Sequence, residues 1–271
     1  MKKNSEKQKT TMLDLSPKVE VSQLLFSGRT TWVAREDLLT GGTKQRAIAP
    51  YLSELSAIGY NHFVYASPFA GFAQVALAYV CEKLSMKCTI FAEIDPKTKA
   101  IHDFTLLAKK YGAHIVATNN LCSAEQMSKN FLKKNDLFYK IPLGFDTPMY
   151  KNLMLKQVQD QWMNLIETLP RLPNNLWISV GSGVLAQIFS KILDQNIHLN
   201  GLDVHVLKPD DERISSLKKN PRFTLFSSDL EFCDPAHLMP SIPSNLYYDA
   251  KIWKLITEYG EDGDVWWNVA R

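Results

Sequence analysis

The sequence has little that would tie it to a metal, a membrane or a disulfide framework. Only four of its 271 residues are cysteine. Cys81, Cys88, Cys122 and Cys233 are scattered, with no CxxC pair and no histidine at ligand spacing. Zinc and disulfide frameworks are therefore not expected, no metal ligand is assigned, and the four read as reduced thiols of a cytoplasmic protein. No run approaches the roughly 18 apolar residues that span a bilayer, so no membrane partner is expected. A formal net charge of +3 is too small an excess to argue for nucleic acid. Lys2, Lys3, Lys7 and Lys9 supply part of it. No apolar stretch follows them as it would in a secretory signal, and residues 1–12 read as a disordered basic leader. There is no internal repeat and no low-complexity linker.

What is there is ordinary globular composition, 45% hydrophobic and 22% charged, in a chain long enough to bury a large core. Residues 30–37 read as a strand running into a loop, and Gly41-Gly42 breaks the chain before a helix over 44–58. Alternation follows. Short apolar runs at 63–66, 88–92, 114–117 and 137–141 read as strands, and 72–84, 99–111 and 123–134 as helices. A long helix is expected over 148–169, capped by Asp146 or Thr147 ahead of Pro148. Leu176-Trp177-Ile178-Ser179-Val180 is the nearly continuous apolar run of a strand covered on both faces. Helices at 184–193, 211–218 and 249–259 and strands at 203–207, 224–227 and 264–269 complete the pattern. Strands alternating with helices imply an α/β protein of doubly wound parallel sheets, in two lobes that trade segments.

Two loops carry the chemistry. Val180-Gly181-Ser182-Gly183-Val184-Leu185 leaves a buried strand and enters a helix. Glycines let the backbone approach an anion, and the helix N-terminus aims unpaired N–H groups at it. No Gly-Lys-Ser/Thr follows, which excludes a P-loop, and position 186 is alanine with no third glycine in register, which argues against a dinucleotide fingerprint. The second loop is Thr40-Gly41-Gly42-Thr43-Lys44. A lysine at a helix N-terminus has its positive charge disfavoured, more so if buried, and a neutral lysine is what imine formation needs. Other candidates carry less. The six histidines fall on separate elements, Asp210-Asp211-Glu212 reads as a solvated helix start, and Trp266-Trp267 reads as core.

In order along the chain, Arg35-Glu36-Asp37-x-x-x-Gly41-Gly42-Thr43-Lys44-Gln45-Arg46 resembles the cofactor-lysine segment of the tryptophan-synthase-β-like, or fold type II, pyridoxal phosphate enzymes. The branch it is most similar to holds 1-aminocyclopropane-1-carboxylate deaminase and D-cysteine desulfhydrase. Ser67 before a helix, Gly181-Ser182-Gly183, Tyr248-Asp249-Ala250-Lys251 and the closing Trp266-Trp267-Asn268-Val269 follow in that family's order. The resemblance covers about residue 30 to the C-terminus. It implies a pyridoxal 5'-phosphate-binding catalytic region over 13–271, with 60–145 as the smaller lobe, in a cytoplasmic homodimer. It further implies that Lys44 holds the cofactor as a Schiff base and moves the Cα proton. Ser67 would bind the substrate carboxylate or act near Cα, and Tyr248 would be an acid or nucleophile. Gly181, Ser182, Gly183, Val184 and Leu185 would hold the phosphate, and Asn268 would sit at the pyridine nitrogen. The activity implied is a deaminase or β-elimination lyase, of hydrolase or lyase class, on a small amino acid. Two departures stand out. Pro68 occupies the place of an asparagine that usually meets the phenolic oxygen, and Val269 that of a hydroxyl residue usually paired with the ring nitrogen. Two other readings follow from these and from the leader: a catalytically degenerate cofactor-binding protein, or an enzyme acting on an amino-acyl adduct of a viral DNA base.

Overall fold

Apolar runs dictate two separate sheets. The computed structural model describes residues 14–95, 97–133, 135–208 and 210–271; the leader, and Lys134 at the end of one expected helix, lie outside them. The strands β3 (His62–Ser67), β4 (Lys87–Glu93), β5 (His114–Thr118) and β6 (Phe138–Ile141) form a four-stranded sheet in the order β5-β4-β3-β6, and every pairing in it is parallel. The helices α2 (Ala73–Lys83), α3 (Asp103–Lys110) and α4 (Leu121–Leu132) supply its crossovers, as parallel pairing requires.

A six-stranded sheet takes its strands from both ends of the sequence. β1 (Val21–Phe26) and β2 (Arg29–Arg35) come before the first sheet in the chain, and β7 (Asn175–Val180), β8 (His198–Asp203), β9 (Phe223–Ser227) and β10 (Asp264–Asn268) after it. The order is β1-β2-β10-β7-β8-β9, with only the edge pair β1–β2 antiparallel. The helices α1 (Gln45–Ala57), α5 (Pro148–Ile166), α6 (Val184–Ile192), α7 (Glu212–Leu217) and α8 (Asp249–Tyr259) complete the α/β architecture. The four-stranded sheet is thus formed by a continuous stretch of chain set between segments of the six-stranded one.

Local chemistry sets the boundaries. Thr147, the second of the two expected caps, accepts the N–H of Tyr150 on its hydroxyl at 3.1 Å, with Pro148 in the first turn of α5. β7 lies inside the larger sheet and from Leu176 to Val180 is buried, which explains its unbroken apolar run. Trp266 and Trp267 of β10 are fully buried core.

The sequence reading is wrong at two strands. β1 was not expected, because an exposed edge strand carries no clear alternation; Leu24 is its one buried residue. The strand expected over 203–207 runs instead from His198 to Asp203. Gly201 sits inside it, where an added Cβ would lie 2.7 Å from the Phe223 ring. A glycine chosen for close packing looks like a break when read from sequence. Among the described residues, no helix is long and apolar enough to cross a membrane.

Candidate active site

Parallel strands bring their carboxyl ends to one side, and the crevice outside those ends is where such sheets bind ligands. Here the ends of β3, β6, β7, β8 and β10 lead into segments that line one cavity of about 650 Å³, part of it open to solvent. A second cavity of about 400 Å³ shares Lys44, Gly144, Gly181, Ser182, Tyr248 and Val269 with it.

The segment around Lys44 is built by buried charge. Arg46 and Glu36 form a two-pronged ion pair, Nε to Oε2 at 2.7 Å and Nη2 to Oε1 at 2.6 Å, with both side chains essentially inaccessible. Arg35 grips Asp37 in the same way at 2.8 Å. Between these pairs the glycine loop is pressed against β10. Gly42 has φ +61°, and a Cβ there would fall 2.3 Å from the Val269 carbonyl oxygen, so glycine meets two demands at once. Thr43 donates its N–H to that carbonyl at 3.0 Å and accepts Trp267 Nε1 on its hydroxyl at 2.9 Å. Gln45 folds back to accept the Gly41 N–H at 2.9 Å. Lys44 is thereby fixed at the N-terminus of α1, its side chain lining both cavities. Burial lowers its pKa, and the Asp249 carboxylate partly opposes the shift.

The glycine loop after β7 is the second wall. Gly181 passes so close to the Tyr248 ring that a Cβ would lie 2.9 Å from Cε2. The Tyr248 hydroxyl accepts the Gly181 N–H at 2.9 Å and donates to the Ser179 carbonyl at 3.1 Å. Burial pushes its pKa up, the Asp249 charge adds to that, and the Gly181 N–H opposes it. Gly181, Ser182, Gly183, Val184 and Leu185 all border the second cavity, together with Lys44. The first turn of α6 therefore opens toward the lysine, with the partial positive charge of a helix N-terminus.

The remaining expected residues fare differently. Ser67 is fully buried, donates its hydroxyl to the adjacent Pro68 carbonyl at 3.1 Å, and borders neither cavity. Asn268 is buried too. Its Nδ2 donates to the Pro243 carbonyl at 2.8 Å, its Oδ1 has no partner, and it borders neither cavity.

Two residues were not anticipated. Asp249 is fully buried, borders neither cavity, and its Oδ2 accepts the Ala270 N–H at 3.1 Å, while its Oδ1 has no hydrogen-bond partner among the described residues. Burial raises its pKa well above the carboxylate range; the N–H groups of Val269 and Ala270 and the charge of Lys44 oppose the shift, and Asp37 adds to it. Asn245 lines the larger cavity with a buried Nδ2 that has no partner. For Asp249 the signal was its adjacency to Tyr248; for Asn245 there was none beyond residue type.

Neither a protein-family model nor a curated protein sequence matches the chain. Solved structures do. An ACC deaminase homologue is 15% identical, with 96% of this chain and 91% of that one covered at a TM-score of 0.76. A hydrogen sulfide-producing enzyme from Fusobacterium nucleatum is 13% identical, with 96% and 97% covered and a TM-score of 0.70. Diaminopropionate ammonia lyase from Escherichia coli is 14% identical, with 97% and 84% covered and a TM-score of 0.68. At such identities the likeness is one of fold.

Proposed function

From a chain that has the fold of the fold type II pyridoxal phosphate enzymes, we propose that it is itself a pyridoxal phosphate-dependent enzyme. Its proposed activity is that of a deaminase or β-elimination lyase on a small amino acid, of 1-aminocyclopropane-1-carboxylate or D-cysteine type. The observation that carries this reading is the convergence of Lys44, its charge weakened by burial, and the first turn of α6 on one cavity. The same reading takes the enzyme to be a cytoplasmic homodimer, a state that analytical ultracentrifugation tests.

The residues fit the cofactor on three counts. Lys44 is half-buried, and desolvation lowers its pKa. The glycine loop 181–185 presents a helix N-terminus suited to a phosphate. Among the described residues the buried Asn245 Nδ2, which lines the larger cavity, has no partner, and an unpaired buried polar atom calls for one. Lys44 would hold the cofactor covalently and loop 181–185 its phosphate.

Bound there, pyridoxal phosphate supplies an electron sink for negative charge developing at the substrate Cα. The protein's own groups do the rest. Lys44 Nζ, its pKa lowered by desolvation, would take the Cα proton and return it. Tyr248, kept protonated by its raised pKa, would hold a proton at the opposite side of the cavity while its hydrogen bonds fix the glycine loop. Asn245 Nδ2 would donate to a substrate oxygen. Leu143 and Phe232 would exclude water from the reacting face.

The test is the absorbance of the purified protein after incubation with pyridoxal phosphate. A visible band that Lys44→Ala abolishes supports the proposal; a wild type that stays colourless ends it. One observation favours a second reading, a protein that binds the cofactor without turnover: Ser67 is bonded to Pro68 rather than turned to the cavity. A stable band with no product from any amino acid in a broad panel would select it. The reading that involves an adduct on a DNA base rests on residues 1–12, outside the described part of the chain.

A further inference from the structure

Lys251, the last residue of the Tyr248-x-x-Lys251 element, has no part in the chemistry above, yet it is a lysine with only 6% of its surface exposed. Its Nζ donates to the Glu231 carbonyl at 2.6 Å and reaches the Phe232 carbonyl at 3.4 Å. Burial lowers its pKa, and Asp234, among other acidic neighbours, opposes the shift. Burying an ammonium against carbonyl oxygens is an expensive way to fill space, since a methionine packs there without desolvating a charge. What Lys251 does is fasten residues 231 and 232, which lie in a stretch without helix or strand. Phe232 lines the larger cavity.

Much of the wall that Phe232 joins is apolar. Pro68, Ala70 and Phe72 come from the loop after β3, Leu143 from the turn after β6, and Val206 from the segment after β8. Among the described residues that line the cavity, Lys44 alone is charged, and the polar ones are Tyr65, Ser182, Asn245 and Tyr248. Burial pushes the Tyr65 hydroxyl up, so it is a neutral group. Packed against this apolar part of the wall, a charged substrate side chain would lose water with no opposite charge beside it. An apolar side chain would displace water from apolar surface at no such cost.

We propose that the cavity takes an amino acid with an uncharged, apolar side chain, and that Phe232, fastened by Lys251, is the wall that selects it. This rests on the reading of the site as a pyridoxal phosphate site. Phe232 is then a specificity-determining residue and Lys251 a positioning residue that acts through it.

The experiment titrates the cofactor-loaded protein with both enantiomers of 2-aminobutyrate, aspartate and lysine and with 1-aminocyclopropane-1-carboxylate. Binding is followed by the change in the cofactor's absorbance, which does not require turnover. The apolar ligands are expected to bind at least about a hundredfold more tightly than aspartate or lysine, a difference set by the desolvation of an unpaired charge. Phe232→Arg should raise aspartate affinity at least about tenfold and lower that of 2-aminobutyrate. Lys251→Met should narrow the apolar-to-charged ratio while the cofactor band keeps its position and intensity, and Lys251→Arg should restore the ratio. Aspartate or lysine binding as tightly as 2-aminobutyrate, or a ratio unmoved in both Phe232→Arg and Lys251→Met, overturns the inference while leaving the cofactor assignment intact. A wild type without a cofactor band overturns both together.

Discussion

Arg46→Met removes one half of the ion pair that holds the lysine loop, and the structure sets the size of the effect. The Glu36 carboxylate is fully buried and both its oxygens are bonded by Arg46, at 2.6 and 2.7 Å. Without the guanidinium it becomes an unpaired buried charge, and breaking a buried pair from one side costs about 3–5 kcal/mol. Arg46 also donates to the Pro17 carbonyl and the Ser16 hydroxyl, bonds worth about 1 kcal/mol each. For a chain of this size, 1 kcal/mol corresponds to about 2–4 °C in melting temperature. The loss of the ion pair alone therefore predicts a fall of roughly 6–20 °C by scanning calorimetry. The double variant Glu36→Leu, Arg46→Met leaves no orphaned charge and should recover most of that loss, with the Ser16 and Pro17 bonds still missing. A single variant that melts within about 2 °C of wild type, or a double variant no better than the single one, would refute the assignment of the pair as the loop's buried scaffold.

Four further outcomes follow from the geometry. Burial lowers the pKa of Lys44 in the folded protein, so folding expels its proton below the pH at which the unfolded chain loses it. That cost is full below the folded pKa and shrinks as the pH rises from there to the unfolded value of about 10.4; without added cofactor, Lys44→Met should therefore raise the melting temperature more at pH 6 than at about pH 10.4, and an equal gap at both would contradict this. Asp249 has the opposite sign: its raised folded pKa makes it least costly below the unfolded value of about 3.9 and progressively more so as the pH rises toward the folded value, so urea midpoints should show Asp249→Asn gaining on wild type as pH increases from 4. Gly42→Ala forces a Cβ into the Val269 carbonyl at a positive φ; it should destabilise by about 1–3 kcal/mol and, by displacing Lys44, weaken the cofactor band. Tyr248→Phe loses the hydroxyl that bridges Gly181 and Ser179; a cost of about 1–1.5 kcal/mol would appear as roughly tenfold weaker cofactor affinity in a fluorescence titration, and unchanged affinity would show that the hydroxyl does not hold the loop.

Much of this could be read from local sequence, because local rules decide it. β7, the glycine loop and α6 follow from an apolar run, a Gly-Ser-Gly turn and a helical period, and the structure has all three. The lysine loop is visible as two glycines ahead of a helix, although the Glu36–Arg46 ion pair that fixes it spans ten residues and depends on burial. Asp249 and Asn245 were missed because what distinguishes them is an unpaired buried atom, a tertiary property that no spacing encodes. Ser67 could be located but its orientation could not, since the bond to the Pro68 carbonyl depends on how the loop turns. β8 was misplaced because Gly201, needed for contact with Phe223, reads locally as a strand breaker. Lys251 could be seen as part of a motif, but its contact with the carbonyl of Phe232 could not.

The most direct test of the account is the absorbance spectrum of purified protein incubated with pyridoxal phosphate, recorded beside Lys44→Ala and followed by borohydride reduction and peptide mass mapping. The account predicts a visible band in the wild type, its absence in the variant, and the reduced cofactor's mass added to the peptide that contains Lys44. A wild type without the band, or the added mass on a different lysine, would contradict it.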